Sequence, residues 1–326
     1  MNIRYNLILQ NRGSASPPKK KQFIIIYYYR ALAFTCNFTL QKRRNLIYMN
    51  KKIGFISQPT GRLGNVLLQY LFLREVACKV NAEVFYPDLK GKEYFDDLSE
   101  TENYKSIKRK IMGKKKIKVD DIRKLGIKEF EKYIETENKI MILVPPVLGY
   151  TFDTIYEDPN QFLKIKEEFQ NSYFEYDNRF VVAIHFRGTD FADWNPVACL
   201  DADYYLRAIE YCVKKYGERN IFFSLFTDDL TIESYKKVVT FLEENNYLYN
   251  EGNPERNLGE ECYNISNSDI VVSSPSTFAI AASMIGKKKT IIHSKKWCNY
   301  CTERKDTVWV EMLKNKCEYY KIECVL

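Results

Sequence analysis

From residue 49 onward the chain alternates short apolar runs with longer stretches of helical periodicity. KIGFISQ reads as a strand, PTGRLGN as a turn, VLLQYLFLREVACKV as a helix apolar on nearly every face, and AEVFYPD as a second strand, so this part opens as a βαβ unit. Residues 180–186, 220–227, 269–274 and 289–293 are β-rich apolar runs. They are separated by the helical patterns YYLRAIEYCVKKY, IESYKKVVTFLEEN and STFAIAASMIG. Strands that are apolar at successive positions must be covered on both faces, and strands joined by helical crossovers run parallel. The pattern predicts an α/β protein with two domains, residues 49–176 and 177–326, joined near 150–179. Ligands in such an architecture bind at the carboxyl ends of the strands.

Two regions break the alternation. Residues 1–48 combine GSASPPKKK with FIIIYYYRALAF and a basic QKRRN. They predict a disordered leader ahead of Met49. The alternative is a membrane anchor through residues 23–40, but the apolar run is shorter than the ~20 residues a spanning helix needs and Arg30 interrupts it. Residues 99–140 are charged and helix-prone, with lysine clusters at 108–118, and predict a solvated helical face.

Composition narrows the class. With 326 residues, 45% of them hydrophobic and 28% charged, the chain can bury two ordinary cores. The formal charge of +8 is mild for this length, so nucleic acid is not the expected partner, whereas an anionic small ligand fits. Nine cysteines at irregular spacing, with no convincing signal peptide, point to thiols in a reducing compartment and to a cytoplasmic enzyme.

The candidate chemistry gathers at strand ends. In VVAIHFRGTDF, His185 and Arg187 stand two apart at the carboxyl end of a strand and so share a face. Arg187 offers a permanently charged fork suited to two phosphate oxygens, and Asp190 is placed to hold the turn or the arginine. PTGRLGN brings Gly61, Arg62, Gly64 and Asn65 to the start of a helix, where backbone N–H groups favour anions. FFSLFTDDL ends a strand with Thr227, Asp228 and Asp229, either as a carboxylate for guanine or ribose or as the cap of the next helix. SSPSTF supplies Ser273, Ser274, Ser276 and Thr277 at a strand-to-helix turn fit for a pyrophosphate, with Phe278 placed to stack on a base.

In this order, GRLGN before an apolar helix, HxRxxD, a strand ending in TDD, and NLGEECYNISNSDIVVSSPSTFAIAASMIG resemble the α-1,2-fucosyltransferases of glycosyltransferase family 11. Their relatives are the α-1,6 and protein O-fucosyltransferases, and the resemblance covers residues 53 to about 292. It implies a GT-B-like pair of Rossmann domains, GDP-fucose as donor, a galactose-terminated glycan as acceptor, inversion at the anomeric carbon, and neither cofactor nor metal. Carried onto this chain it gives Arg187 the β-phosphate of the leaving GDP, with His185 lining the pocket and Asp190 bracing the motif. Thr227 and Asp228 then face the guanine or ribose, Ser274, Ser276 and Thr277 the phosphates, and Phe278 the base. Gly61, Arg62, Gly64 and Asn65 would close over the sugar.

The chain departs from the pattern at three places: Gly188 stands where a second arginine is common, Val66 replaces the glutamine of GNQ, and Ala279 and Ile280 replace tryptophans. These changes keep two alternatives open, another nucleotide-sugar donor or a protein that binds a nucleotide, a glycan or RNA without chemistry. Asp201 and Asp203 form a DxD but precede a helical run, which predicts a helix cap. Cys298 and Cys301, with Cys317 and Cys324 downstream, have a second spacing too wide for an ordinary zinc site.

Overall fold

The computed structural model describes residues 51–55, 57, 59, 61–79, 81–98, 104–113, 117–118, 132, 140–144, 162–171, 179–188, 191–217, 220–286, 289–303 and 320–325. The expected leader, the anchor reading of residues 23–40, Asp190 and Cys317 lie outside them.

The amino-terminal elements are β1 (Lys52–Phe55), α1 (Leu63–Lys79), β2 (Glu83–Phe85), α2 (Tyr104–Ile111), β3 (Ile117–Lys118) and β4 (Ile140–Val144). Their strands form one parallel sheet in the order β2-β1-β4-β3, with Ile53 beside both Val84 and Met141. The expected βαβ opening is therefore present. Helix α1 is apolar around its circumference because it is covered around its circumference: every residue from Val66 to Leu73 is buried. One face lies on its own sheet, and another packs against a helix of the second sheet.

That second sheet is built from β5 (Phe180–His185), β6 (Ile221–Phe226), β7 (Leu248–Asn250), β8 (Ile270–Ser273), β9 (Lys289–Ser294) and β10 (Tyr320–Val325). Between them run α3 (Phe191–Trp194), α4 (Ala202–Tyr216), α5 (Glu233–Glu244), α6 (Leu258–Asn267), α7 (Thr277–Met284) and α8 (Lys295–Glu303). All pairings are parallel, in the order β10-β9-β8-β5-β6-β7. The chain thus winds outward from β5 through β6 to β7, returns to the middle, and winds the other way from β8 through β9 to β10. This is the Rossmann order, and it reverses between β5 and β8. All six residues of β6 are buried, as an apolar strand covered on both faces requires.

Local chemistry sets the helix ends. Asp201 caps α4 by accepting from the Tyr204 N–H at 3.2 Å, and Gly217, at φ 89°, ends it in a conformation that costs glycine little. The DxD is thus a helix cap, as expected; Asp203 sits one turn before Arg207, 3.7 Å away. Cys298 and Cys301 are buried on α8. Residues 162–171 tie to both halves of the chain. Ile165 bridges Phe95, while Asn171 donates to the Glu260 carboxylate and accepts from Asn264 through its carbonyl. Among the described residues no helix is long and apolar enough to cross a membrane.

Candidate functional site

In a sheet of this order the two strands flanking the reversal send their following loops in opposite directions, which leaves a crevice at their carboxyl ends. His185 closes β5 and Ser273 closes β8, and the two are register partners across the reversal. The sequence-predicted HxR and SSPST segments are therefore neighbours at the switch point. They are joined directly: the Ser274 N–H donates to the His185 carbonyl at 3.0 Å, and the Ser274 Oγ lies 2.8 Å from His185 Nδ1. Beneath them the buried Tyr204 hydroxyl bridges the Ser273 and Ile292 carbonyls at 3.0 and 2.9 Å, where pairing between β8 and β9 ends. The phenol occupies the split between the strands and fixes the direction in which the serine loop leaves.

His185 is 6% exposed, and burial pushes its imidazole down to about 4, with the Asp228 charge opposing. It is neutral near pH 7 and acts through a hydrogen bond and ring contact. The Phe278 ring is 6.3 Å away at 50°.

Arg187 is held by Asp228. One carboxylate oxygen receives the guanidinium and the other accepts from the Gly188 N–H at 3.0 Å, so a single carboxylate fastens both the turn and the arginine. The pair is mostly buried, with side chains 17% and 24% exposed, and the Arg187 guanidinium lies 5.4 Å from the Phe191 ring centre. Among the described residues Asp228 braces this motif, its carboxylate turned toward Arg187 and the strand-end turn; Asp190 lies outside them. Thr227 and Asp229 form a local turn: the Thr227 hydroxyl accepts from the Asp229 N–H at 3.1 Å and donates to its carbonyl at 2.9 Å. Any side chain at Gly188 would have to displace the end of the Ile232 side chain. A Cβ there would stand 2.5 Å from the Ile232 Cδ1.

The GRLGN segment reaches this site from the first sheet. The Thr277 hydroxyl donates to Asn65 Oδ1 at 2.7 Å, and Gly64 lies so close to α7 that a Cβ would fall 2.2 Å from the Phe278 nitrogen and 2.4 Å from the Thr277 carbonyl carbon. Gly61, at φ 98°, makes the turn that brings Asn65 round, while Arg62 is exposed. Three of the predicted site residues make contacts within the protein. The space left by Gly64 is filled by the backbone of α7. The Thr277 hydroxyl serves Asn65, and the Ser276 hydroxyl caps α7 at the Ala279 N–H, 3.5 Å away. Packing one helix start on another requires these donors to be satisfied inside the protein.

Two residues absent from the sequence prediction adjoin the site. Glu261, on α6, is 8% exposed, and burial pushes its carboxyl up to about 8, with Arg256 opposing and Asp228 adding. Among the described residues its carboxyl makes no hydrogen bond. Arg256 donates to the Leu225 and Glu251 carbonyls at 3.2 and 2.6 Å and lies over the Phe226 ring, beside the end of β6. The second histidine, His293, is fully buried at the end of β9; burial pushes it down to about 3, and its Nδ1 accepts from the Ser294 N–H at 3.2 Å.

No protein-family model matches the chain, and no curated protein matches it. Solved structures similar to it include POFUT1 in complex with GDP-fucose, at 13% identity and a TM-score of 0.48 over 72% of this chain and 93% of that one. The fucosyltransferase NodZ from Bradyrhizobium is similar at 12% identity and a TM-score of 0.45, over 75% of this chain and 95% of its own. A mutant of FUT1 from Arabidopsis thaliana in complex with GDP is similar at 10% identity and a TM-score of 0.48, over 77% of this chain and 74% of that one.

Proposed function

We propose that the protein is an inverting GT-B-type glycosyltransferase that moves fucose from GDP-fucose to a glycan hydroxyl, α-1,2-linked to a galactose-terminated acceptor, in the cytoplasm. One observation carries the reading: the arginine of the HxR segment stands at the switch point of a Rossmann-order sheet, fixed by a carboxylate and beside a serine turn that opens a helix. The order of motifs along the chain supports the donor assignment.

Departure of GDP from the anomeric carbon places negative charge on the β-phosphate. A guanidinium already oriented at that point stabilises the charge without reorganising, which is the larger part of what such a site contributes. The diphosphate takes up the face of Arg187 that Asp228 leaves, and Asp228 keeps its hold on the Gly188 N–H. Neutral His185, steadied by Ser274, offers a hydrogen bond without adding a charge that would compete for the leaving group. Glu261 is a buried carboxyl whose electrostatic neighbours are Arg256 and Asp228, so the base-reading role expected of Asp228 falls to it in this reading. Asn65 and Arg62 approach from the first sheet on the sugar side.

The test is turnover and binding with the full chain. GDP and GDP-fucose raise the melting temperature while UDP and CMP do not, and fucose passes to a galactose-terminated acceptor. Arg187→Ala lowers kcat/KM by at least a hundredfold. A chain that GDP leaves unstabilised, or an Arg187→Ala variant with undiminished turnover, overturns the assignment. Stabilisation by UDP in place of GDP selects a different nucleotide sugar.

A further inference from the structure

We propose that the exposed face of α2 is a docking surface for an anionic lipid bilayer. The inference is independent of the fucosyl reading, since α2 takes no part in the site at the switch point.

Helix α2 divides cleanly. Tyr104 and Ile107 are buried, 6% and 4% exposed, and anchor it to the body of the protein. Lys105, Lys108 and Arg109 point outward, and Met112 follows at the next position of the same stripe, in the spacing i, i+3, i+4, i+7. Lys110 adds a further exposed cation, and Lys108 keeps its stem near the helix by lying over the Tyr104 ring, 5.7 Å from its centre. Met112 is 78% exposed, and among the described residues the next large apolar side chain is Leu230 at 43%. Met112 thus places an exposed apolar tip at the end of a basic stripe. A surface with phosphate heads outside and hydrocarbon just below satisfies both features.

The charge is local. Residues 105–118 carry eight Lys and Arg and no Asp or Glu, while the whole chain carries +8. The rest of the sequence sums to zero because residues 1–48 carry nine Lys and Arg with no Asp or Glu and the remaining residues carry a net −9, so residues 105–118 are one of two concentrated basic regions. Nucleic acid fits less well, because the exposed stripe holds no aromatic side chain on which a base can stack and Tyr104 is turned inward. The attachment is peripheral. One surface of this kind gives reversible binding, and the sequence holds a second weak signal in the apolar run 23–34, flanked by lysines 19–21 and by Lys42, Arg43 and Arg44.

The test sediments the full chain with vesicles of phosphatidylcholine alone or with phosphatidylserine added, at low and high salt. The expected result is partition onto the anionic vesicles only, weakened by salt. Each basic residue near such a surface is worth about fivefold in partition, so Lys105→Gln, Lys108→Gln, Arg109→Gln and Lys110→Gln together lower it by roughly several hundredfold. Met112→Ser lowers it a few-fold without changing the salt dependence, and none of these variants alters stabilisation by GDP. A melting curve checks the fourfold variant; should it unfold, Arg109→Gln alone carries the test at about fivefold. Equal binding to neutral vesicles, no binding to either, or undiminished partition of the variants overturns the proposal. So does tighter binding to single-stranded RNA than to the anionic vesicles.

Discussion

The contact between the starts of α1 and α7 gives a quantitative prediction, because Gly64 faces only backbone. A Cβ there would meet the Phe278 nitrogen at 2.2 Å, the Thr277 carbonyl carbon at 2.4 Å and the Phe278 Cα at 2.6 Å. No rotamer change relieves a clash with main chain, so Gly64→Ala must push α1 from α7 by roughly 1 Å to regain ordinary contact. The Asn65 to Thr277 hydrogen bond, now 2.7 Å, then passes out of range. Overpacking costs about 1–3 kcal/mol and the lost bond about 0.5–1.5 kcal/mol, so the total is about 2–4 kcal/mol. For a unit of this size that lowers the melting temperature by about 5–10 °C, which differential scanning fluorimetry reads directly. Thr277→Val removes the hydrogen bond alone and should show only the smaller part. In the same samples GDP should still stabilise the variant, since its proposed site belongs to the second sheet, while transfer should fall as Asn65 is drawn away. The reasoning is refuted by a Gly64→Ala variant that melts with the wild type. If GDP binding collapses in such a variant, the glycine faces the ligand and the helix contact is not the reason for it.

Asp228→Asn keeps an acceptor for the Gly188 N–H but removes the charge that orients Arg187; kcat/KM should fall at least tenfold, measured with GDP-fucose, with a stability loss of about 1–2 kcal/mol in urea. The three shifted groups predict a stability maximum near pH 6.5 in urea titrations. The two histidines are held below their usual range, at about 4 and about 3, so the stability they contribute above pH 6.5 is lost as pH falls through those values. Glu261 is held above its usual range, at about 8, so its contribution is complete below about pH 4.5 and is lost as pH rises through 8. Glu261→Gln should flatten the alkaline limb and steepen the rise between about pH 4.5 and 6.5, leaving the profile below pH 4.5 unchanged; an unaltered alkaline slope would show that another group sets it.

The legible part of the fold was the part buried on both sides. The strands ending at His185, Phe226, Ser273 and Ser294 have few polar residues to interrupt them, and their predicted bounds differ from the observed ones by one or two positions. Three other strands were not legible, β7 and β10 at the edges of the second sheet and β4 inside the first. β7 is three residues long, β10 alternates Lys321 and Glu323 with apolar neighbours, and IMILV of β4 stands alone between charged stretches. These strands owe their state to the neighbour they pair with, which local pattern does not reveal. The cysteine spacing in WCNYC drew attention to metal chemistry, while the same residues form the buried side of α8 together with Trp297.

At the site, residue types were readable and their partners were not. Arg187 and the serine turn sit at strand ends and signal themselves there. That Asp228 holds Arg187 depends on β6 lying beside β5, a fact of strand order. Glu261 did leave a trace. Along α6 the buried positions include Cys262 and Ile265, and Glu261 lies on that apolar side while Glu260 faces solvent and Asn171. A carboxyl on the buried stripe of an amphipathic helix is the sequence signal that was available. Gly64 shows the opposite limit. A glycine before a helix is compatible with a ligand phosphate or with a second helix, both of which demand the absence of a Cβ, and only the position of α7 distinguishes them. The two demands meet in one place here, because the helix that fills the gap is the one whose serine turn stands at the switch point. A change at Gly64 therefore moves Asn65 away from Thr277 while the His185–Ser274 contact within the second sheet stays, which is why binding and transfer should separate in that variant.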